Sequence, residues 1–319
     1  MKASGSGVAV GHEGWLYWVG RAGEVEAFYG DTATSRRILR RWTRLIGHRA
    51  RRLDALGIRH VHTVVPDKLA IYPDLLGRPF PGLDDPPGVR LARSVAADSG
   101  APMANLQTPL VAARDGEPVY LRTDTHWTYR GYLIAYRALC EALNAPVADH
   151  VFAGTSTRET FTFDLGEKLI PPVDEAYVAY DFPRHAERID ANALVEVRES
   201  GRAVRPRGLF VGSRVVLQNK TAPDQRRVIL FGDSYIYSPG ARLTAMLAET
   251  FHEVHAIWSA NIDWRYVEAV RPDVVIFEIA ERFLRQVPND RIHIDRFAEA
   301  RARRAVRPTL REQIRRWLR

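Results

Sequence analysis

Apolar positions along the chain follow two patterns. Between Thr34 and Leu56, the residues Ile38, Leu39, Trp42, Leu45, Ile46, Leu53 and Leu56 recur every three or four positions. This spacing predicts a long amphipathic helix, with Gly57 as its C-cap. Elsewhere the apolar residues come in short unbroken runs. "RHVHTVVPDK" predicts a strand that stops at Pro66, and "VILF" (228–231), "EVHAIW" (253–258) and "DVVIFEIA" (273–280) predict three more. Helical spacing lies between them, at about 89–99, 129–143, 241–250 and 263–270. Strands that are apolar throughout and alternate with helices imply a mostly parallel sheet covered on both faces, an α/β three-layer architecture.

Other stretches break this rhythm. "GHEGWLYWVG" reads as a short hairpin, residues 78–88 as a proline-rich loop, and residues 104–107 as a short extended piece. "EPVYLRTDTHWTYRG" starts as a strand and becomes a loop at Thr123. Residues 147–225 alternate Thr, Val, Pro and charged residues and read as a strand-rich insertion. Within it, "RGLFVGSRVVLQN" suggests two short strands around a Gly-Ser turn. The expected organisation is one domain over residues 1–300, including that insertion, followed by a basic tail at 301–319.

Composition narrows the reading. The chain has 319 residues, 46% of them hydrophobic, enough for a substantial core. No run of about 18 apolar residues predicts a membrane-spanning helix. The first residues show no apolar core of a secretory signal, so the sequence as written reads as cytoplasmic. The lone cysteine, Cys140, excludes an internal disulfide and a cysteine-based zinc cluster, and is expected as a small buried apolar residue. Net charge is +8, but residues 301–319 alone hold eight Arg against one Glu. The rest is nearly balanced, which argues against a nucleic-acid binder. Arg36, Arg37, Arg40, Arg41, Arg44, Arg49, Arg51 and Arg52 read as the solvated face of the long helix, with binding of an anionic partner as the alternative. In the tail, Leu310, Ile314, Trp317 and Leu318 form an apolar stripe among arginines. It suits packing on the domain itself, an anionic membrane surface or a protein partner.

Candidate chemistry comes from two stretches. In "RVILFGDSYIYSPG" a buried run ends on Gly-Asp-Ser, ordinary turn residues that also place Ser234 just beyond a strand end. In open α/β sheets ligands bind beyond such carboxyl ends. A serine nucleophile needs an imidazole base, and that base needs an orienting carboxylate. "YLRTDTHWTYRG" supplies Asp124 and His126 two residues apart, a spacing that also occurs in purely structural pairs. If both strands lie in one parallel sheet, both ends open on one rim. No phosphate-binding glycine motif and no metal-ligand cluster is apparent, so neither cofactor nor metal is expected.

In order, "GHEGWLYWVG", "VVPDKLAIYPDLL", "YLRTDTHWTYRG", "FDLGEKL", "ILFGDSYIY" and "RPDVVIFEIAERFL" resemble the SGNH-hydrolase-like domain of the alginate O-acetyltransferase family, the AlgX and AlgJ group. The likeness covers roughly residues 10–286. Phe163 stands where the family has glycine, and the basic tail is outside its pattern. The resemblance implies an SGNH-like fold and transfer of an acyl group, acetyl by that likeness, to a carbohydrate hydroxyl. It implies Ser234 as nucleophile, His126 as general base and Asp124 as orienter. It also implies a location in the cell envelope, where a membrane acyl-relay protein would supply the acyl group; a cytoplasmic enzyme would draw on acyl-CoA instead. Trp127 and Tyr235 flank these residues as candidates to line an acceptor groove, with simple packing as the alternative. Lys68 and Tyr72 face the site by resemblance. Asn261, after a strand end in "WSANID", is a candidate oxyanion donor or a turn former. Glu278 and Arg282 have the spacing of a helical pair. The same triad also serves a carbohydrate esterase, and the same fold a non-catalytic carbohydrate-binding scaffold.

Overall fold

The computed structural model describes residues 7–20, 24–204, 208–236 and 242–306. The described residues form two compact units: those up to 184 with 277–287, and those within 185–276 with the ones from 288 onward.

The first unit opens with the expected hairpin, β1 (Val8–Val10) and β2 (Leu16–Trp18), in antiparallel register with Val8 opposite Trp18. Helix α1 (Glu24–Tyr29) follows, which the apolar spacing does not predict. Helix α2 (Ala33–Ala55) matches the predicted amphipathic helix. Thr32 caps it by accepting from the Ser35 N–H, and Gly57, at φ +68°, turns the chain out of it. Its apolar stripe, Leu39, Trp42 and Ile46, is buried with Leu91, Val95 and Leu284, and Trp42 Nε1 donates to the Leu284 carbonyl at 2.6 Å. Most of the arginine face is exposed, but Arg49 is buried with its guanidinium 4.9 Å from the Phe277 ring centre.

Strand β3 (Arg59–Val65) stops before Pro66 as predicted, and α3 (Lys68–Ile71) starts directly after it. Helix α4 (Pro87–Asp98), strand β4 (Met103–Ala104), α5 (Gln107–Ala113) and α6 (Tyr129–Ala142) come next. Cys140 is buried in α6. β5 (Thr155–Phe161) and β6 (Glu175–Asp181) pair as a separate antiparallel ribbon.

The second unit contains β7 (Glu187–Ala191), α7 (Ala193–Glu199), β8 (Arg214–Gln218), β9 (Asp224–Gly232), α8 (Arg242–Thr250), β10 (Phe251–Trp258) and α9 (Trp264–Val270). β11 (Val274–Ala280) runs from this unit into the first, and α10 (Ile294–Val306) ends the described chain. Strand order is β4-β3-β11 in the first unit and β11-β9-β10-β8-β7 in the second. The pairs β3–β4 and β9–β10 are parallel, while β8 and β7 join antiparallel at one edge. Val228 to Phe231 of β9 are all buried, as a strand covered on both faces requires.

Three expectations need correction. The segment 118–127 is not a strand of the sheet. It closes on itself through a single bridge between Tyr120 and Trp127. "RGLFVGSRVVLQN" yields one strand, β8, because Gly212, at φ +96°, breaks the extended run before it. Glu278 lies in β11 and Arg282 in the single turn after it, so they share no helix. Residues 301–306 continue α10, whose Ala298, Ala302 and Ala305 pack with Leu194, Val197 and Leu209. Leu310, Ile314, Trp317 and Leu318 lie outside the described residues.

Candidate active site

Asp124 and His126 sit in a tight loop of the first unit. The loop is closed by backbone bonds from Leu121 N–H to His126 C=O (3.2 Å) and from Thr128 N–H to Val119 C=O (3.1 Å). Thr128 then caps α6. The two-residue spacing has a local cause. Asp124 Oδ1 accepts the His126 backbone N–H at 3.0 Å, an Asx-type turn, and the same oxygen accepts from the ring Nδ1 at 2.7 Å. One carboxylate oxygen thus fixes both the backbone and the ring.

Electrostatics sharpen this arrangement. Burial alone would raise the Asp124 carboxyl. The hydrogen bonds and charge of His126, with the charge of Lys68, outweigh it and hold the group at about 2. An ionised Asp124 can only accept, so the Nδ1 proton points to it and Nε2 is the basic nitrogen. The His126 side chain remains 20% exposed.

Neighbouring groups hold the loop. Asp164 accepts from the Thr125 N–H (2.9 Å) and hydroxyl (2.7 Å). Burial, and then the charge of Asp124, raise the Asp164 carboxyl above its ordinary range. Glu175 accepts from Arg122 N–H (2.9 Å), Thr123 N–H (2.7 Å) and the Thr123 hydroxyl (2.7 Å). Sequence reasoning assigned neither residue. Asp164 stands in the "FDLGEKL" segment, a signal that could have found it, whereas Glu175 starts an unremarkable strand. A nitrogen of His126 and carboxylate oxygens of Asp124 and Asp164 lie within 4.8 Å of one another. A divalent cation accepts such a donor set, though here those carboxylates already bind His126 and Thr125.

The other first-unit candidates are buried. Lys68 donates to carbonyls of the loop itself. The Tyr72 hydroxyl accepts the Val119 N–H at 3.0 Å, and its ring centre lies 4.4 Å from that of Trp15. Trp127 is 2% exposed and meets Tyr132 edge-on, with ring centres 5.3 Å apart.

In the second unit β9 ends at Gly232, and a turn follows in which Asp233 Oδ1 accepts the Tyr235 N–H at 3.1 Å. Ser234 is half-buried in this turn, and Tyr235 is fully buried. Gly232 is in parallel register with Trp258 at the end of β10. Ser234 and Asn261 therefore follow the carboxyl ends of adjacent parallel strands. Asn261 Oδ1 accepts from the N–H groups of Asn289 and Asp290, both at 3.0 Å, which assigns the carboxamide oxygen to that loop.

A model of the family "SGNH hydrolase-like domain, acetyltransferase AlgX" matches residues 8–260. The probable alginate O-acetylase AlgJ of Azotobacter vinelandii is 28% identical over 183 residues, 53% of this chain and 45% of that protein. The chain thus spans less than half of that curated relative. The O-acetyltransferase domain of Pseudomonas putida AlgJ has the same fold, with a TM-score of 0.60 at 20% identity over 93% of this chain and 99% of that one. Bacillus cereus PatB1 gives 0.55 at 13% identity, over 87% and 96%.

Proposed function

We propose, for a chain that belongs to the family of the AlgX acetyltransferase SGNH hydrolase-like domain, an O-acyltransferase that moves an acetyl group to a polysaccharide hydroxyl. Ser234 is the nucleophile, His126 the general base and Asp124 its orienter. The observation that carries this reading is the Asp124–His126 pair: a buried, ionised carboxylate that holds Nδ1 at 2.7 Å and leaves Nε2 as the base.

His126 takes the Ser234 hydroxyl proton as the oxygen attacks the donor's acyl carbon. The tetrahedral intermediate collapses, the leaving group departs with that proton, and an acyl-serine remains. The acceptor hydroxyl then gives its proton to His126 and attacks the ester carbonyl, and Ser234 regains a proton as it leaves. Asn261 is assigned to the oxyanion. Its Oδ1 is occupied by two N–H groups, so Nδ2 is the donor it can offer, one strand over from Ser234. For the acceptor, a groove of about 320 Å³ in the first unit is lined by Tyr120, Arg122, Tyr129, Arg130 and Tyr177. Tyrosine rings and guanidinium groups suit the faces and carboxylates of an acidic sugar chain, in keeping with relatives named as probable alginate O-acetylases.

The test is a covalent adduct. After incubation with an activated acetyl ester, peptide mass mapping is expected to find acetyl on Ser234, and added oligosaccharide is expected to discharge it to acetylated sugar. Discharge to water alone makes the protein an esterase. Full transfer by Ser234→Ala refutes the assignment.

A further inference from the structure

Lysine is almost never fully buried without a partner, because an ammonium in a low-dielectric interior loses its hydration. Lys68 is 4% exposed. Its ammonium has three N–H donors, and the structure gives it three acceptors: the carbonyls of Leu121 (2.8 Å), Arg122 (2.8 Å) and Asp124 (2.6 Å). All three belong to the loop that presents Asp124 and His126.

The opposite poles of this loop meet opposite charge. The N–H groups of Arg122 and Thr123 point to the Glu175 carboxylate, and that of Thr125 points to Asp164. The peptide groups of residues 121–125 therefore run between a cation on their carbonyl side and anions on their N–H side. Lys68 is itself held from behind. The Asp67 N–H donates to Glu281 at 3.2 Å, and Arg282 pairs with Asp67 at 3.2 Å. The Trp15 and Tyr17 ring centres lie 5.5 and 5.7 Å from Nζ, so the ammonium also rests on aromatic faces.

We propose that Lys68 is a positioning residue for the reaction: its ammonium holds the backbone of the Asp124–His126 loop in catalytic shape. This rests on the function proposed above. A neutral side chain of similar length would fit the same space at lower solvation cost, but it could not satisfy three converging carbonyls.

The charge is conditional on pH. Burial pulls the Lys68 ammonium down to about 7, against the charges of Asp124, Glu175 and Asp164, which favour it; the charge of Arg282 opposes it. As pH rises through that value the ammonium is lost, and one of the three bonds goes with its proton.

The test uses Lys68→Met, Lys68→Arg and Ser234→Ala in the full chain, with amide exchange of residues 119–128 and kcat and KM from pH 6 to 9. Lys68→Met is expected to speed exchange of the loop amides and to lower kcat about 10- to 100-fold, with donor KM within about threefold. In the wild type kcat is expected to fall above about pH 7. Lys68→Arg keeps a permanent cation, so it is expected to lose that alkaline decline even if its maximum is lower. Wild-type loop exchange in Lys68→Met, or an unchanged alkaline decline in Lys68→Arg, overturns the proposal. Should Lys68→Met not fold, the Lys68→Arg profile decides alone. If Ser234→Ala is inactive and Lys68→Met fully active, the Lys68 role fails and the triad stands. If Ser234→Ala stays active, the triad fails and the exchange data still decide the hold on the loop.

Discussion

Asp124→Asn isolates the most sharply defined contact in the site. The substitution keeps shape and removes charge. In the native loop one oxygen receives both the His126 N–H and the ring Nδ1. The carboxyl stands at about 2 rather than 3.8 although it is buried. A fall of nearly two pH units is roughly 2–3 kcal/mol of preference for the ionised form. Much of that preference comes from His126, so in the proposed mechanism the same energy stabilises the imidazolium that forms when the base takes a proton. Its loss alone costs about 30- to 100-fold in rate. An asparagine N–H turned toward Nδ1 would also favour the wrong tautomer, so the expected fall in kcat is about 10² or more. The assay is acetyl transfer from an activated ester under saturating donor, with pH varied. Stability supplies a second readout. The folded carboxyl is depressed, so its contribution is complete above about 4 and is lost as pH falls through about 2. The unfolding free energies of wild type and Asp124→Asn are expected to differ at pH 6 and to converge toward pH 2. Transfer by Asp124→Asn within threefold of wild type would refute the orienting role.

Glu175→Gln leaves one acceptor oxygen for three donors; kcat is expected to drop at least about tenfold, with faster amide exchange at Arg122 and Thr123. Asn261→Ala removes the assigned oxyanion donor and is expected to lower kcat about 10²-fold with donor KM little changed, measured by ester turnover. Arg130→Ala is expected to raise KM for an acidic oligosaccharide more than it lowers kcat; equal effects on neutral and acidic acceptors would count against the groove. Leu230→Ala empties a fully buried position of β9 and is expected to cost about 3 kcal/mol in urea unfolding.

What could be read from the chain divides by range. The helix at 33–55 and the strands at 59–65, 251–258 and 274–280 were visible because their apolar period matches the faces they bury. The Asp-x-His pair was visible because its geometry is an Asx-type turn, set within three residues. The segment before it misled for the same reason. "PVYL" alternates like a strand, yet its hydrogen bonds go to its own loop, to Tyr72 and to Lys68, and the last two partners lie 47 or more residues away. Lys68 illustrates the limit best. A lysine after a strand end invites an assignment to solvent or substrate, since most lysines reach one or the other. Only the fold turns three carbonyls from residues 121–124 toward it, and no local pattern encodes a partner more than fifty residues distant. The proposed reactive residues were therefore easier to nominate than the charges packed around them, because chemistry demands particular side chains whereas support accepts any group the topology delivers.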